Sequence, residues 1–212
     1  MIEQEILDDL NESISKFEKK LNIPNGFYNN LCNEDDWSFV IKLSAFLETA
    51  STDVLTTVLG YKNIENAISY LDYGNSKSGK VVIMQKLEII TKNQATTLRK
   101  FLEIRNKVAH RVEDINFTFQ NYIASLKEEK QKREFVNNFG DSIEESFELK
   151  KQKIEKKDFV LENPKLIIWF AMKEIIGCMY LSKEEKEIKD QLTFTLAPDK
   201  ITEYLEALKN DK

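Results

Sequence analysis

Apolar residues recur along this chain at three- and four-residue intervals, the spacing of helices that each bury one face. Ile6, Leu7, Leu10, Ile14, Phe17 and Leu21 predict a first amphipathic helix over 3–22, ended by Ile23-Pro24-Asn25-Gly26. A long second helix is predicted from Trp37 to Leu59, with Asp35-Asp36 suited to its N-terminus and Gly60 at its stop. Shorter helices are expected over 64–72, capped by Asn63, and from Ser78 to about Thr91, with the turn Asp72-Tyr73-Gly74-Asn75-Ser76 between them. A strongly periodic helix follows from about Asn93 to Val112, then another from about Thr118 to Asn137, punctuated by Gly140. Residues 141–162 carry no clear pattern. Their lysine-rich run, Lys150 to Lys157, reads as a solvated helix face or loop, the alternative being a basic strip for a phosphate backbone. Asn163-Pro164 opens a strongly apolar helix over 165–181 through a cap and an N1 proline. A last amphipathic helix is expected from Ala197-Pro198 to about Lys209.

Two of these helices carry an opposite charge each in the middle of an apolar face. On the 93–112 helix, Leu98, Phe101, Leu102, Ile104, Val108, Ala109 and Val112 form one arc, and Arg105 falls within it. Arg99, Glu103, Asn106 and His110 make a separate polar stripe at spacings of four, three and four. On the 37–59 helix, Glu48 sits among Trp37, Val40, Ile41, Leu43, Leu47, Val54, Leu55, Val58 and Leu59, flanked by Ser44 and Ser51. An unpaired buried charge costs several kcal/mol, so a structural ion pair between Glu48 and Arg105 is expected. The alternative is that one or both side chains reach solvent at a helix end or face an oligomer interface.

Composition narrows the class. The 212 residues are 42% hydrophobic and 32% charged, with only six glycines and three prolines. Few breakers and many helix formers point to an all-α protein. The expected architecture is an antiparallel helical bundle over 35–138, flanked by an N-terminal helix within 1–34 and a C-terminal helical extension over 139–212. A net charge of −5 and a pI near 5.2 argue against a basic DNA-binding face, so no specific DNA binding is expected. Cys32 and Cys178 read as small buried hydrophobes, and with a single histidine they offer no metal-ligand spacing. No metal and no cofactor are expected. The acidic N-terminus lacks an apolar signal core, and the longest apolar stretch, Leu166 to Met179, is interrupted by Lys173 and Glu174. A cytoplasmic protein without a membrane span is the expectation.

The lone histidine closes the run Arg105-Asn106-Lys107-Val108-Ala109-His110. Imidazole is the side chain whose unperturbed pKa lies near neutrality. Arginine can bind a phosphate, asparagine can polarise it and histidine can move a proton. Together they suit metal-free RNA cleavage, in which the 2′-hydroxyl attacks its own phosphate. The alternative is that Asn106 and His110 merely terminate the helix, where such residues favour the last carbonyls.

Arg105, Asn106 and His110 at the end of a long helix resemble the Arg-x4-6-His signature of HEPN (higher eukaryotes and prokaryotes nucleotide-binding) domains. Asp36-Trp37-Ser38-Phe39-Val40 through Leu47-Glu48-Thr49-Ala50, with Asn116-Phe117-Thr118-Phe119, is similar to the mannitol operon repressor family, which is helical and related to HEPN proteins. The resemblance covers roughly residues 35–135. It implies a HEPN-like bundle forming a homodimer, with Arg105, Asn106 and His110 as the catalytic set of a metal-independent endoribonuclease or RNA-binding protein of toxin or defence type. An antitoxin or regulator is then a possible protein partner. The other implied function is a non-catalytic regulatory module of the mannitol-repressor-like type that binds another protein.

Overall fold

The computed structural model describes residues 2–109, 115–149, 152–195 and 200–203. Its helices are α1 (Ile2–Lys20), α2 (Phe27–Asn30), α3 (Asp36–Leu59), α4 (Glu65–Ser69), α5 (Lys80–Lys86), α6 (Lys92–Ala109), α7 (Phe119–Ser125), α8 (Glu129–Phe139), α9 (Lys156–Glu162) and α10 (Pro164–Thr195). Between α8 and α9 a two-stranded antiparallel hairpin, β1 (Ser146–Leu149) and β2 (Gln152–Glu155), sets Phe147 opposite Ile154. The fold is all-α apart from that hairpin.

The long helix α3 is the axis of the molecule. The Asp35 carboxylate accepts a hydrogen bond from the Ser38 N–H at its start, and Gly60 stops it in the left-handed conformation, φ 76°. Phe39, Val40, Leu43, Phe46, Leu47, Ala50, Val54 and Leu55 are all buried and form one broad face, with Lys42, Ala45 and Thr49 exposed on the other side. A face that wide takes more than one neighbouring helix to cover. Helix α10 packs along one side, and α4, α5 and α6 pack along others.

Helix α10 supplies Ile167, Ile168, Met172, Ile175, Ile176 and Met179 to the same core that holds Phe17 of α1 and Phe101 of α6. The segment expected as a C-terminal extension is thus, through residue 195, a structural part of the bundle. Helix α10 also runs well past the apolar stretch that ended at 181. Charge pairs carry it onward: Lys183 with Asp53 of α3, Lys20 of α1 with Glu184 and Glu187, and Lys189 with Glu185. At its other end the Trp169 indole donates to the Tyr28 carbonyl at 3.0 Å while the Tyr28 hydroxyl donates to the Trp169 carbonyl at 2.6 Å. The buried Glu18 carboxylate accepts from the Gly26 and Tyr28 amides, both at 2.7 Å, and so fixes the α1–α2 turn.

Other boundaries shift for local reasons. The 64–72 helix becomes a 3₁₀ turn, Lys62–Ile64, followed by the short α4. The helix expected from Ser78 to Thr91 is confined to α5, because Glu88 adopts a positive φ of 59°. The 118–137 helix divides in two. Thr118 caps α7, Leu126 leaves helical geometry, and a reciprocal box between Glu128 and Gln131 restarts the chain as α8. From residue 152 the lysine run forms β2 and the start of α9, where Lys156 meets Glu145 and Lys157 meets Glu129; residues 150 and 151 lie outside the described residues. His110, Val112 and most of the helix expected after Ala197-Pro198 lie outside the described residues. No helix among the described residues is long and apolar enough to cross a membrane.

A shared core makes a stability prediction. Ile176→Ala in α10 removes about 2–5 kcal/mol in urea unfolding followed by circular dichroism. The loss appears in a single transition; a separate, earlier transition for the C-terminal helix would contradict the common core.

Candidate functional site

Helix α6 is set in register by a reciprocal cap. The Thr91 amide donates to Gln94 Oε1 at 2.9 Å, and the Gln94 amide donates to Thr91 Oγ1 at 3.2 Å. Ala95, Leu98, Phe101, Leu102, Ile104 and Val108 turn into the core. Arg99, Glu103, Arg105 and Asn106 line a cleft of about 690 Å³. The facing wall is Ser44 and Glu48 of α3, Ser69 and Tyr70 at the end of α4, and the turn 71–76. That turn lies close on α6: a Cβ at Gly74 would stand 3.1 Å from Leu102. Four of the five α6 candidates therefore meet at one site, together with Glu48. The fifth, His110, lies outside the described residues. Ala109, expected on the apolar arc, is exposed.

The expected ion pair between Glu48 and Arg105 does not form. Glu48 Oε1 is 3.4 Å from Nζ of Lys80, the first residue of α5. Lys80 is only 1% exposed, and its ammonium also donates to the Ser69 carbonyl at 3.1 Å. Arg105 reaches α3 one turn earlier, its Nε donating to Ser44 Oγ at 3.4 Å and its Nη1 to Asn106 Oδ1 at 3.0 Å. Periodicity gives the rotational phase of each helix but not the axial offset between them. That offset sets Arg105 against Ser44.

The guanidinium of Arg105 is therefore held by neutral partners. Among the described residues no carboxylate is within ion-pair distance of it. Arg99 donates from Nη2 to Gln85 Oε1 at 3.3 Å, and its buried Nε has no acceptor among the described residues. The carboxylates of the cleft are engaged: Glu48 by Lys80, Glu103 by Lys100 at 3.0 Å, and Asp72 by the Asn75 amide at 2.6 Å. Buried Tyr73 lies beside Ser51, their hydroxyls 3.3 Å apart, and burial pushes its phenol well above the ordinary range. It keeps its proton at neutral pH. The cleft thus presents two arginines without carboxylate partners among the described residues, and an exposed amide, Asn106, a donor set suited to an anion.

Sequence reasoning missed Lys80 and the segment before it. Gly74-Asn75-Ser76-Lys77-Ser78-Gly79-Lys80 has the glycine and lysine spacing of a phosphate-binding loop. Its geometry is different. The Asn75 side chain accepts from the Lys77 and Ser78 amides, and the Gly79, Lys80 and Val81 amides donate to Asn75, Asp72 and Tyr73 carbonyls. The loop closes on itself, and a Cβ at Gly79 would lie 2.6 Å from Asn75 backbone atoms.

No protein-family model matches the chain, no curated protein is significantly similar to it in sequence, and no solved structure matches its fold.

The reassigned ion pair is open to a double-mutant cycle in urea unfolding. Glu48→Ala with Lys80→Met shows a coupling of about 0.5–3 kcal/mol. Glu48→Ala with Arg105→Ala is additive to within about 0.5 kcal/mol. Strong coupling in the second cycle would restore the direct Glu48–Arg105 pair.

Proposed function

We propose that this chain is a HEPN-like protein that binds RNA through the α6 cleft and cleaves it without a metal ion. The observation that carries this reading is the setting of Arg105: a guanidinium fixed by Ser44 and Asn106, in a cleft whose carboxylates are already engaged. A planar fork so held can take two oxygens of one phosphate in parallel hydrogen bonds. Arg99 supplies a second positive charge on the same wall. Asn106 is a neutral donor for charge developing on the phosphate. His110, four residues further along the chain, is the proton carrier. It takes the proton from the 2′-hydroxyl as that oxygen attacks the adjacent phosphorus, and the 5′-oxygen leaves with a proton returned by an acid. A homodimer that brings two such motifs together would supply that acid from the second copy.

A second reading, a non-catalytic regulatory module of the mannitol-repressor-like type, is favoured by the mixed charge of the cleft. Glu48, Asp72 and Glu103 stand beside the two arginines, and such a surface also suits a polar protein partner.

Activity on a labelled RNA in the presence of a chelator decides between them. His110→Ala and Arg105→Ala each reduce cleavage by about 10²-fold or more while the circular dichroism spectrum is unchanged. Cleavage that survives both substitutions rejects the assignment. RNA binding without cleavage in the parent protein leaves only the binding half of the proposal.

A further inference from the structure

Tyr70 is 91% exposed, the most open of the exposed large apolar side chains among the described residues. A single exposed aromatic is ordinary on a protein surface. Two features set this one apart. It lines the same cleft as Arg99 and Arg105, and the backbone beneath it is clamped. Lys80 holds both flanks: its Nζ donates to the Ser69 carbonyl at 3.1 Å and its amide to the Asp72 carbonyl at 3.0 Å. The Leu71 amide closes a turn onto the Ile68 carbonyl at 3.1 Å. The ring therefore projects from a fixed support instead of folding back onto the apolar core. Tyrosine has few rotatable bonds, so an aromatic on a rigid base makes contact at small entropic cost.

We propose that Tyr70 is a base-stacking platform, and that the cleft takes a single-stranded nucleotide segment with a phosphate on Arg105 and Arg99 and a neighbouring unpaired base against the phenol ring. This rests on the phosphate-binding reading above and adds to it the strandedness of the ligand. Bases inside a duplex are stacked on each other and offer no face to a side chain; unpaired bases do. The cleft volume of about 690 Å³ lies within the ~300–1,000 Å³ range of sites that enclose one small ligand, and it is too small for a helix of paired strands.

Fluorescence anisotropy tests the proposal with the full chain and two single-stranded 2′-O-methyl oligonucleotides of about ten units, a length within single-strand site sizes. One carries bases; the other is an abasic ribose-phosphate chain. The methylated riboses remove the attacking hydroxyl, so binding is read without cleavage. Tyr70→Ala weakens binding of the base-bearing strand about five- to one-hundred-fold and of the abasic strand less than about twofold. Tyr70→Phe and Tyr70→Trp stay within about threefold of the parent, while Tyr70→Leu behaves like Tyr70→Ala. The slope of log K against log salt is unchanged by Tyr70→Ala but falls by about 0.7 in Arg105→Ala. Equal losses on both strands, a fully competent Tyr70→Leu variant, or no loss at all in Tyr70→Ala would overturn the stacking role and leave the phosphate reading standing. A parent protein that binds neither strand would overturn both.

Discussion

The broad buried face of α3 is the constraint from which the rest of the structure follows. A rod that places Phe39, Phe46, Ala50 and Leu55 in the core needs more than one helix to cover that wide face, while Lys42, Ala45 and Thr49 stay exposed on its other side. Helix α10 encloses it from one direction, and α4, α5 and α6 from others. Within this apolar column Ser44, Glu48 and Ser51 form a narrow polar seam. Ser51 returns its hydroxyl hydrogen bond to the Leu47 carbonyl of its own helix at 2.7 Å. Ser44 and Glu48 find partners on other helices, α6 and α5. The cleft opens where that seam meets the protein surface.

Two cations line the seam, and desolvation accounts for which of them holds its single carboxylate. Stripping an ammonium of water costs several kcal/mol, and Lys80 is almost wholly buried. Among the described residues it has Glu48 and the Ser69 carbonyl to replace that water. Arg105 is partly exposed, so water compensates for what a carboxylate would have given. The cation with no access to solvent takes the anion. The consequence reaches function: because Lys80 occupies Glu48, the guanidinium of Arg105 keeps its capacity for an external anion.

The helical class, the span of α3 with its Asp35 and Gly60 ends, and the apolar face of α6 were legible from residue spacing, because each follows from one period and one local cap. So was the grouping of Arg99, Glu103 and Asn106, neighbours on a single helix face. What escaped depends on contacts between distant elements. Lys80 follows a glycine at a helix N-terminus, where a cation is disfavoured by the helix dipole, and nothing local marks it as buried. Its burial arises only when α5 docks on α3. The apolar pattern also under-reads α10, whose second half is sustained by pairs to α1 and α3 instead of by hydrophobic residues. The break at Leu126 was accessible in principle, since Glu128 and Gln131 have the spacing of a capping box.

Charge also bears on the proposal that this cleft takes RNA. The chain carries a net charge of −5, and the cleft offers two arginines free of carboxylates. Two phosphate contacts on a single strand correspond to a salt slope of about −1.4, so raising salt fourfold costs only about sevenfold in affinity. A binding mode with so little counterion release gains correspondingly little from the phosphate backbone alone. On the proposed reading, affinity for RNA comes from short-range contacts, namely directional hydrogen bonds from Arg105 and Asn106 and a flat apolar surface for a base. Those contacts need an unpaired nucleotide, which a rigid duplex withholds. An acidic protein with a small, partly neutralised cleft is for that reason better matched to a loop or a strand end than to a long helical nucleic acid.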